Sequence, residues 1–431
     1  MAVITSIGGA ARHATAQVRL ISPPRRPSRA APGFYDPPDP LPDAPAGGLL
    51  RAEPMDAYLA PGVRLRTRAW RVLYRSTGAV GEPTAVSGTV LIPLGSHRRR
   101  RPLLGFAIGT HGIGDAWAPS RLLSLGLEWE AGLMCMALAR GYALAITDYQ
   151  GLGTPGDHAY MVGRVLGMNV LDAIRAARAL DPDQLPPDGP AAVIGYSEGG
   201  AAAAWAAQLQ PSYAPEVTLA GVAAGAAAAD LELAGPSLDG SFFSFFLAYG
   251  GIGYAAAYPE LELDRHLTPR ARAGIAWLRR SSVLQAATYG PRFVRAHELT
   301  DPNVLELPEW KARMRENRLG ELVPHAPVLL HHARRDQIVS FEHSRRLLGD
   351  WQELGADARL YVTRGGVDHI SGAVAGTPVA LDWLSRRLER RHRARSPGGV
   401  PAISQRRCDQ LAPVRGRAEA GERPGELGDR A

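Results

Sequence analysis

Short apolar runs and longer segments of helical period alternate along most of the chain. Runs that are long enough for buried strands cover residues 102–110, 142–147, 191–194, 217–224, 327–331 and 358–362. Helical spacing of apolar residues follows at 164–180, 200–208 and 376–392. Strands that alternate with helices predict an α/β fold, with a mainly parallel central sheet and helices on both faces. Two earlier strand-like segments, 66–76 and 84–93, precede this series.

Changes in composition divide the chain into four predicted regions. They are a Pro-rich N-terminal arm at 1–48, partly disordered; an α/β core at 49–225 and 320–392; an aromatic-dotted helical insertion at 226–319; and a disordered basic tail at 393–431. In a parallel sheet, ligands bind outside the C-terminal ends of the strands. Residues that directly follow a strand are therefore the candidates for chemistry.

The strongest candidate follows the apolar run 191–194. Gly195-Tyr196-Ser197-Glu198-Gly199 is a G-x-S-x-G pentapeptide, and an Ala-rich helical segment comes next. Strand, tight turn and helix are the context in which a serine hydroxyl projects above the sheet as a nucleophile. The alternative is an ordinary loop of an α/β protein, because the bare pattern is common.

A serine nucleophile needs a base that is oriented by a carboxylate. Asp336 follows the strand-like segment 327–331, and His369 lies in a Gly-bearing loop after the strand-like segment 358–362. These positions keep the chain order Ser, Asp, His that is typical of α/β-hydrolases. The alternatives are His331 and His332 as the base, and Asp368 as the acid.

The oxyanion that forms during acyl transfer needs backbone donors. One is predicted to be the amide of Glu198, at the N-terminus of the helix after Ser197. The other should come from the loop after 102–110, where Asp115 ends the segment Gly109-Thr110-His111-Gly112-Ile113-Gly114-Asp115. The alternative for Asp115 is a helix cap.

Composition narrows the function classes. The net charge is +7, but 12 Arg against 6 Asp and Glu from Arg386 onward supply +6 of it, so the rest of the chain is near neutral. No recognised nucleic-acid module accompanies these arginines. The two cysteines form neither a disulfide framework nor a zinc motif, and neither a metal nor a cofactor is predicted. No run reaches the roughly 18 apolar residues of a membrane span.

Together, these motifs resemble the secretory lipase family, the lipase A group of the α/β-hydrolase superfamily. The resemblance covers about 33–390 and includes Asp148-Tyr149-Gln150-Gly151-Leu152-Gly153, Ala118-Pro119-Ser120 and the FYDPP segment. It implies hydrolysis of triacylglycerols and other carboxylic esters by Ser197, Asp336 and His369, with Asp115 and Glu198 at the oxyanion hole. Many members have a cysteine where this chain has Trp117, so no disulfide is expected there.

The resemblance also implies a helical cap at 226–319. Phe242, Phe243 and Phe246 lie in this segment, where they either line an acyl-chain site or pack the cap onto the core. Expected partners are a lipid or small ester substrate and, peripherally, a lipid surface. Export is expected from the family, although the first residues do not predict a signal peptide, and a cytoplasmic location is the alternative.

Three hypotheses follow for the function. The first is a triacylglycerol lipase or carboxylesterase that works through an acyl-enzyme intermediate. The second is an acyltransferase with the same three residues, and the third is a catalytically silent hydrolase fold that binds lipid.

Overall fold

The computed structural model describes residues 33–95 and 100–395. Within them, a nine-stranded sheet has the order β1-β4-β5-β7-β6-β8-β9-β10-β11, and β2 and β3 form a separate hairpin. The strands are β1 Leu49–Met55, β2 Tyr58–Ala60, β3 Val63–Arg64, β4 Thr67–Thr77, β5 Pro83–Pro93, β6 Leu103–Ala107, β7 Ala143–Thr147, β8 Ala191–Tyr196, β9 Leu219–Gly225, β10 Val328–His332 and β11 Ala358–Val362. This arrangement confirms the predicted α/β class.

The sheet is parallel where the apolar runs are continuous. From β7 through β6, β8, β9 and β10 to β11, every neighbouring pair is parallel, whereas β1, β4 and β5 join by antiparallel pairing. Ala107 of β6 pairs with Gly195 of β8, and Tyr196 of β8 pairs with Gly225 of β9. The C-terminal ends of these strands therefore meet at one edge.

Helices connect and flank the strands. They are α1 Pro119–Leu125, α2 Ala131–Ala139, α3 Gly163–Leu180, α4 Glu198–Tyr213, α5 Leu231–Leu238, α6 Phe245–Ala257, α7 Leu263–His266, α8 Pro269–Leu278, α9 Val283–Tyr289, α10 Ala296–Leu299, α11 Pro308–Glu316, α12 Phe341–Glu353 and α13 His369–Arg395. The Ala-rich first half of α4 is fully buried. Small side chains allow this helix to approach the sheet closely, which anchors the turn that precedes it.

The helices α5 to α11 lie between β9 and β10, inside the segment predicted as an insertion. Within the described residues, they belong to the same compact unit as the core. Of the predicted tail, only the end of α13 is within the described residues, and the first 32 residues of the predicted arm also lie outside them. No described helix is both long enough and apolar enough to span a membrane.

Part of the arm is described, and it packs on the core. Phe34 and Tyr35 are buried against Leu73 and Ala85. The Tyr35 hydroxyl and the Ser120 Oγ are 2.9 Å apart. The described start of the arm is thus fixed by an aromatic cluster.

Candidate active site

The turn between β8 and α4 holds Ser197 in a strained conformation. Its φ and ψ are 62° and −121°, which is a rare backbone geometry for a residue other than glycine. The Ser197 amide donates to the Gly225 carbonyl oxygen at 2.9 Å, and the Ser197 carbonyl accepts from the Ala201 amide at 2.9 Å. The backbone is therefore fixed on both sides, while the hydroxyl has no hydrogen-bond partner among the described residues.

The neighbouring glycines make this turn possible. A Cβ added at Gly199 would lie 2.0 Å from the carbonyl oxygen of Ala107, and one at Gly195 would lie 2.1 Å from that of Gly199. Any side chain at these positions would collide with backbone. The two glycines of the motif are thus required by the close approach of β6, β8 and α4.

Asp336 and His369 lie next to one another at the ends of β10 and β11. His369 Nδ1 is 2.7 Å from Asp336 Oδ2, and the His369 amide donates to Gln337 Oε1 at 3.0 Å. The His369 ring centroid is 5.1 Å from that of Tyr196, the residue before Ser197. Backbone and side chain thus both fix the imidazole beside the turn.

The Asp336 carboxylate is buried and has several partners. Its Oδ1 accepts from the amides of Ile338 and Val339 at 2.9 and 2.8 Å, and its Oδ2 lies 3.2 Å from His332 Nε2. Burial acts to raise the pKa of Asp336, but the hydrogen bonds from His332 and His369 outweigh it and hold the pKa well below its ordinary value. Asp336 is therefore ionised near neutral pH.

The alternative candidates for the base and the acid, His331, His332 and Asp368, have other contacts. His332 contacts Asp336 through Nε2, and its Nδ1 lies 2.8 Å from Ser344 Oγ. His331 is buried in β10, and burial lowers its pKa to about 3. Asp368 Oδ1 accepts from the Ser371 amide at 2.8 Å, at the start of α13. That helix begins at His369 itself, so the predicted loop is shorter than expected.

The two predicted oxyanion residues line different cavities. Glu198 is the first residue of α4 and follows Ser197 directly. Asp115 is exposed, and its Oδ1 accepts from the Gly153 amide at 3.1 Å. It lines a second cavity, together with Phe34 and Tyr35 of the arm, and not the cavity that Ser197 lines.

The segment after β6 that approaches the turn is the one that contains Thr110. A Cβ added at Gly109 would lie 3.3 Å from the Tyr196 carbonyl oxygen. Thr110 Oγ1 is 3.2 Å from the Tyr160 hydroxyl, and Tyr160 lines the same cavity as Ser197. Among the described residues, the Thr110 amide has no hydrogen-bond partner.

A buried polar network that the sequence did not indicate holds this segment in place. The Gly109 amide donates to Glu130 Oε1 at 2.9 Å. His111 connects the Gly109 carbonyl oxygen with Glu128 Oε2, each at 2.7 Å. Burial raises the pKa of Glu130 to about 7. Glu128 and Glu130 flank a tryptophan near the start of a helix, a pattern that does not distinguish them from surface residues.

The Glu198 side chain forms a buried contact with His158. Glu198 is 2% exposed, and its Oε1 is 2.8 Å from His158 Nε2. His158 Nδ1 in turn lies 3.1 Å from the Gln150 carbonyl oxygen. This pair fixes the start of α4 behind the Ser197 turn.

Ser197 opens into an apolar cavity with a volume of about 120 Å³. Val339 of the Asp336 loop also lines it. Most of the remaining wall comes from the helices between β9 and β10, including Leu231, Leu238, Leu267, Ile275, Leu299 and Leu305. The serine turn, the Asp336 loop and the helical insertion therefore enclose one space.

The three predicted phenylalanines lie at different depths. Phe246 lines the cavity, and its ring centroid is 6.4 Å from that of Tyr160. Phe243 is half-buried and does not line it. Phe242 is 38% exposed and contacts Phe293, which is 67% exposed. Phe246 thus fits a substrate contact, whereas Phe242 belongs to an exposed apolar surface.

Within residues 33–95 and 100–395, no cluster of three or more His, Cys, Asp or Glu side chains has a geometry that could hold a metal ion.

Comparisons with a family model and with individual proteins both identify lipases as relatives of this chain. A family model described as secretory lipase matches residues 118–395. A secreted triacylglycerol lipase of Malassezia globosa is 26% identical over 83% of this chain and 80% of that protein. A probable inactive lipase of Mycobacterium tuberculosis is 27% identical over 82% of this chain and 81% of its own length.

Among solved structures, the fold is similar to that of lipase A from Candida antarctica in its closed state. The TM-score is 0.74 at 22% identity, over 86% of this chain and 89% of that one. The likeness therefore extends over most of both chains.

Proposed function

The chain belongs to the secretory lipase family, and from this premise we propose that it is a serine ester hydrolase that acts on lipid-like carboxylic esters. Ser197 is the nucleophile, His369 the base and Asp336 the orienting carboxylate. The observation that carries the proposal is the 2.7 Å contact between His369 and Asp336 beside the strained serine turn.

The proposed reaction starts with proton transfer from the Ser197 hydroxyl to His369 Nε2, as Oγ attacks the ester carbonyl carbon. The tetrahedral intermediate collapses, and the alcohol leaves with the proton from His369. Water then attacks the acyl-enzyme by the same route and releases the acid. Because Asp336 stays ionised, it accepts from Nδ1–H and leaves Nε2 free to take the proton.

The oxyanion is proposed to bind between the amides of Glu198 and Thr110. The Glu198 amide belongs to the first turn of α4, where unpaired N–H groups and the helix dipole favour negative charge. The Thr110 amide is the proposed second donor because its segment approaches the turn and because the amide has no hydrogen-bond partner among the described residues. Glu130 and His111 position that segment.

The substrate class follows from the apolar wall of the cavity. Aliphatic side chains suit an acyl chain, because burial of each methylene contributes about 0.8 kcal/mol. Triacylglycerols are proposed as substrates by analogy with the name of the Malassezia relative, and so is an extracellular location. The exposed surface at Phe242 and Phe293 is the proposed contact with a lipid surface.

A catalytically silent fold is the rival, since one relative is named a probable inactive lipase. The test is hydrolysis of 4-nitrophenyl octanoate by the wild type, Ser197→Ala and Asp336→Asn, with Ser212→Ala as the control. Ser212 is an exposed serine at the other end of α4.

We expect kcat to fall by about 10³-fold or more in Ser197→Ala and by about 10⁴-fold in Asp336→Asn, with Ser212→Ala active. An inactive wild type would favour the silent fold. Product analysis in the presence of glycerol separates hydrolysis from acyl transfer, since a transferase would form glycerol esters instead of the free acid.

A further inference from the structure

Three buried polar side chains in the cavity have no hydrogen-bond partner among the described residues. They are Tyr254, Trp310 and His343, which are 2%, 2% and 1% exposed. All three line the cavity into which Ser197 opens. The Tyr254 hydroxyl, the Trp310 indole nitrogen and both ring nitrogens of His343 are without a partner.

These side chains come from three separate elements. Tyr254 belongs to α6 and Trp310 to α11, both in the helical insertion, whereas His343 belongs to α12 of the core. Their convergence on one cavity is therefore not a by-product of a single helix face. The three residues therefore reach this space from the insertion and from the core.

Two neighbouring tyrosines of the insertion do have hydrogen-bond partners. The Tyr258 hydroxyl accepts from Asn317 Nδ2 at 2.8 Å, and the Tyr249 hydroxyl lies 2.9 Å from Ser281 Oγ. A buried donor without a partner destabilises the folded chain, and phenylalanine would fill a similar volume without that cost. Tyr254 thus differs from its neighbours in a way that a ligand would explain.

The available groups define the ligand chemistry. Indole only donates, so the ligand must offer an acceptor; a tyrosine hydroxyl can donate or accept. Burial lowers the pKa of His343 to about 4, so its ring is neutral near pH 7 and offers one donor and one acceptor. The one charged residue in the cavity lining is Glu198, which is already bonded to His158.

A carboxylate at the end of an acyl chain would therefore find no cation, and a buried unpaired charge is disfavoured. A neutral oxygen fits better. We propose that this cavity selects esters whose acyl chain carries a neutral oxygen, as a hydroxyl, keto or ester group, over esters of unsubstituted fatty acids. Tyr254, Trp310 and His343 are the residues that recognise this oxygen.

This inference rests on the proposed function, because it assigns the acyl group that Ser197 would accept. The test compares 4-nitrophenyl octanoate with 4-nitrophenyl hydroxyoctanoates in which the hydroxyl moves carbon by carbon along the chain. The enzymes are the full-length wild type, Tyr254→Phe and Trp310→Phe, with Tyr258→Phe as the matched control. The readout is the ratio of kcat/KM for each hydroxy ester to that for the plain ester.

For the wild type, we expect a ratio of about 10 or more at one hydroxyl position, because a site that hydrogen-bonds a polar group disfavours the analogue that lacks it. Tyr254→Phe and Trp310→Phe should each lower that ratio about fivefold or more, whereas Tyr258→Phe should keep it. If one variant does not fold, the other still gives the result. A wild-type ratio near 1 at every position, or ratios unchanged in both variants, would overturn the inference while leaving ester hydrolysis intact.

A second measurement does not depend on catalysis. Binding of methyl hydroxyoctanoates and methyl octanoate to Ser197→Ala is compared by calorimetry. Tighter binding of one hydroxy ester by about tenfold supports the selection of neutral oxygen even if the chain hydrolyses no ester. Equal binding of all these esters argues against it.

Discussion

The serine turn and the cap helix α6 both contain glycines, but for opposite reasons. At Gly199 in the turn, an added Cβ would lie 2.0 Å from a backbone oxygen of β6. At Gly250 in α6, which lines the cavity, an added Cβ would meet nothing within 4 Å. The first glycine is required by close backbone packing, whereas the second borders open space.

This difference separates the two tasks of the site. The turn is defined by backbone contacts, so its geometry admits almost no variation. The cap side is defined by side chains around a cavity, where a change in one residue alters the shape and polarity without moving the chain. On this account, the proposed chemistry depends on the core side, and the proposed selectivity depends mainly on the cap side.

Replacing each of these two glycines by alanine should have the largest effect among the tests, and the effects should have opposite signs. Gly199→Ala forces a methyl group into backbone, and we expect the free energy of unfolding to fall by about 3 kcal/mol or more, with loss of activity. Gly250→Ala removes a flexible residue from a helix without a clash, and should raise it by about 0.5 to 1 kcal/mol. Chemical denaturation of both variants measures these changes.

Gly253→Ala provides a control on α6 itself. A Cβ there would lie 2.3 Å from the Tyr160 carbonyl oxygen, so this variant should be destabilised although it lies on the same helix as Gly250. Equal effects at Gly199 and Gly250 would contradict the distinction between backbone packing and open space.

A pH series adds a test of burial next to the site, because the core holds two buried histidines that are neutral near pH 7. Burial lowers the pKa of His331 to about 3 and that of His343 to about 4, from an ordinary value near 6.5. Below pH 6.5 the unfolded chain binds these protons and the folded chain does not. Each histidine should therefore lower the free energy of unfolding by up to about 1.4 kcal/mol per pH unit as the pH falls from 6.5 towards 4.

Glu130 has the opposite effect on the pH dependence of the free energy of unfolding. Its pKa is raised to about 7, so between about 4.5 and 7 the folded chain holds a proton that the unfolded chain has lost, and stability falls as the pH rises. His331→Gln and His343→Gln should each reduce the slope of the free energy of unfolding against pH below 6.5. Glu130→Gln should increase that slope. Unchanged slopes in denaturation from pH 4.5 to 6.5 would show that these groups are not buried in the protonation states described.

Much of the core could be predicted because its signals are local and periodic. The predicted strand at 358–362 has the same bounds as Ala358–Val362, and Asp336 and His369 follow their strands as expected. The start of α13 at His369 was less predictable, since Gly365 and Gly366 indicate a loop but Asp368 and Ser371 cap a helix.

The remainder depends on contacts that are distant in the sequence. Asp115 is close to Thr110 along the chain, yet the arm residues Phe34 and Tyr35 share its cavity. Glu130 is half-buried, and its carboxylate accepts from the Gly109 amide, 21 residues away. The unpaired groups that line the cavity come from three separate helices, two in the insertion and one in the core, and no single segment predicts that they share one space.

The account depends most directly on the activation of Ser197 by His369. Reaction with a fluorophosphonate probe, followed by mass spectrometry of the modified peptide, measures this in the wild type and in His369→Ala. We expect one label, on Ser197, and a rate of labelling that falls by about 10³-fold or more in the variant. A label on another residue, or an equal rate in both proteins, would contradict the account.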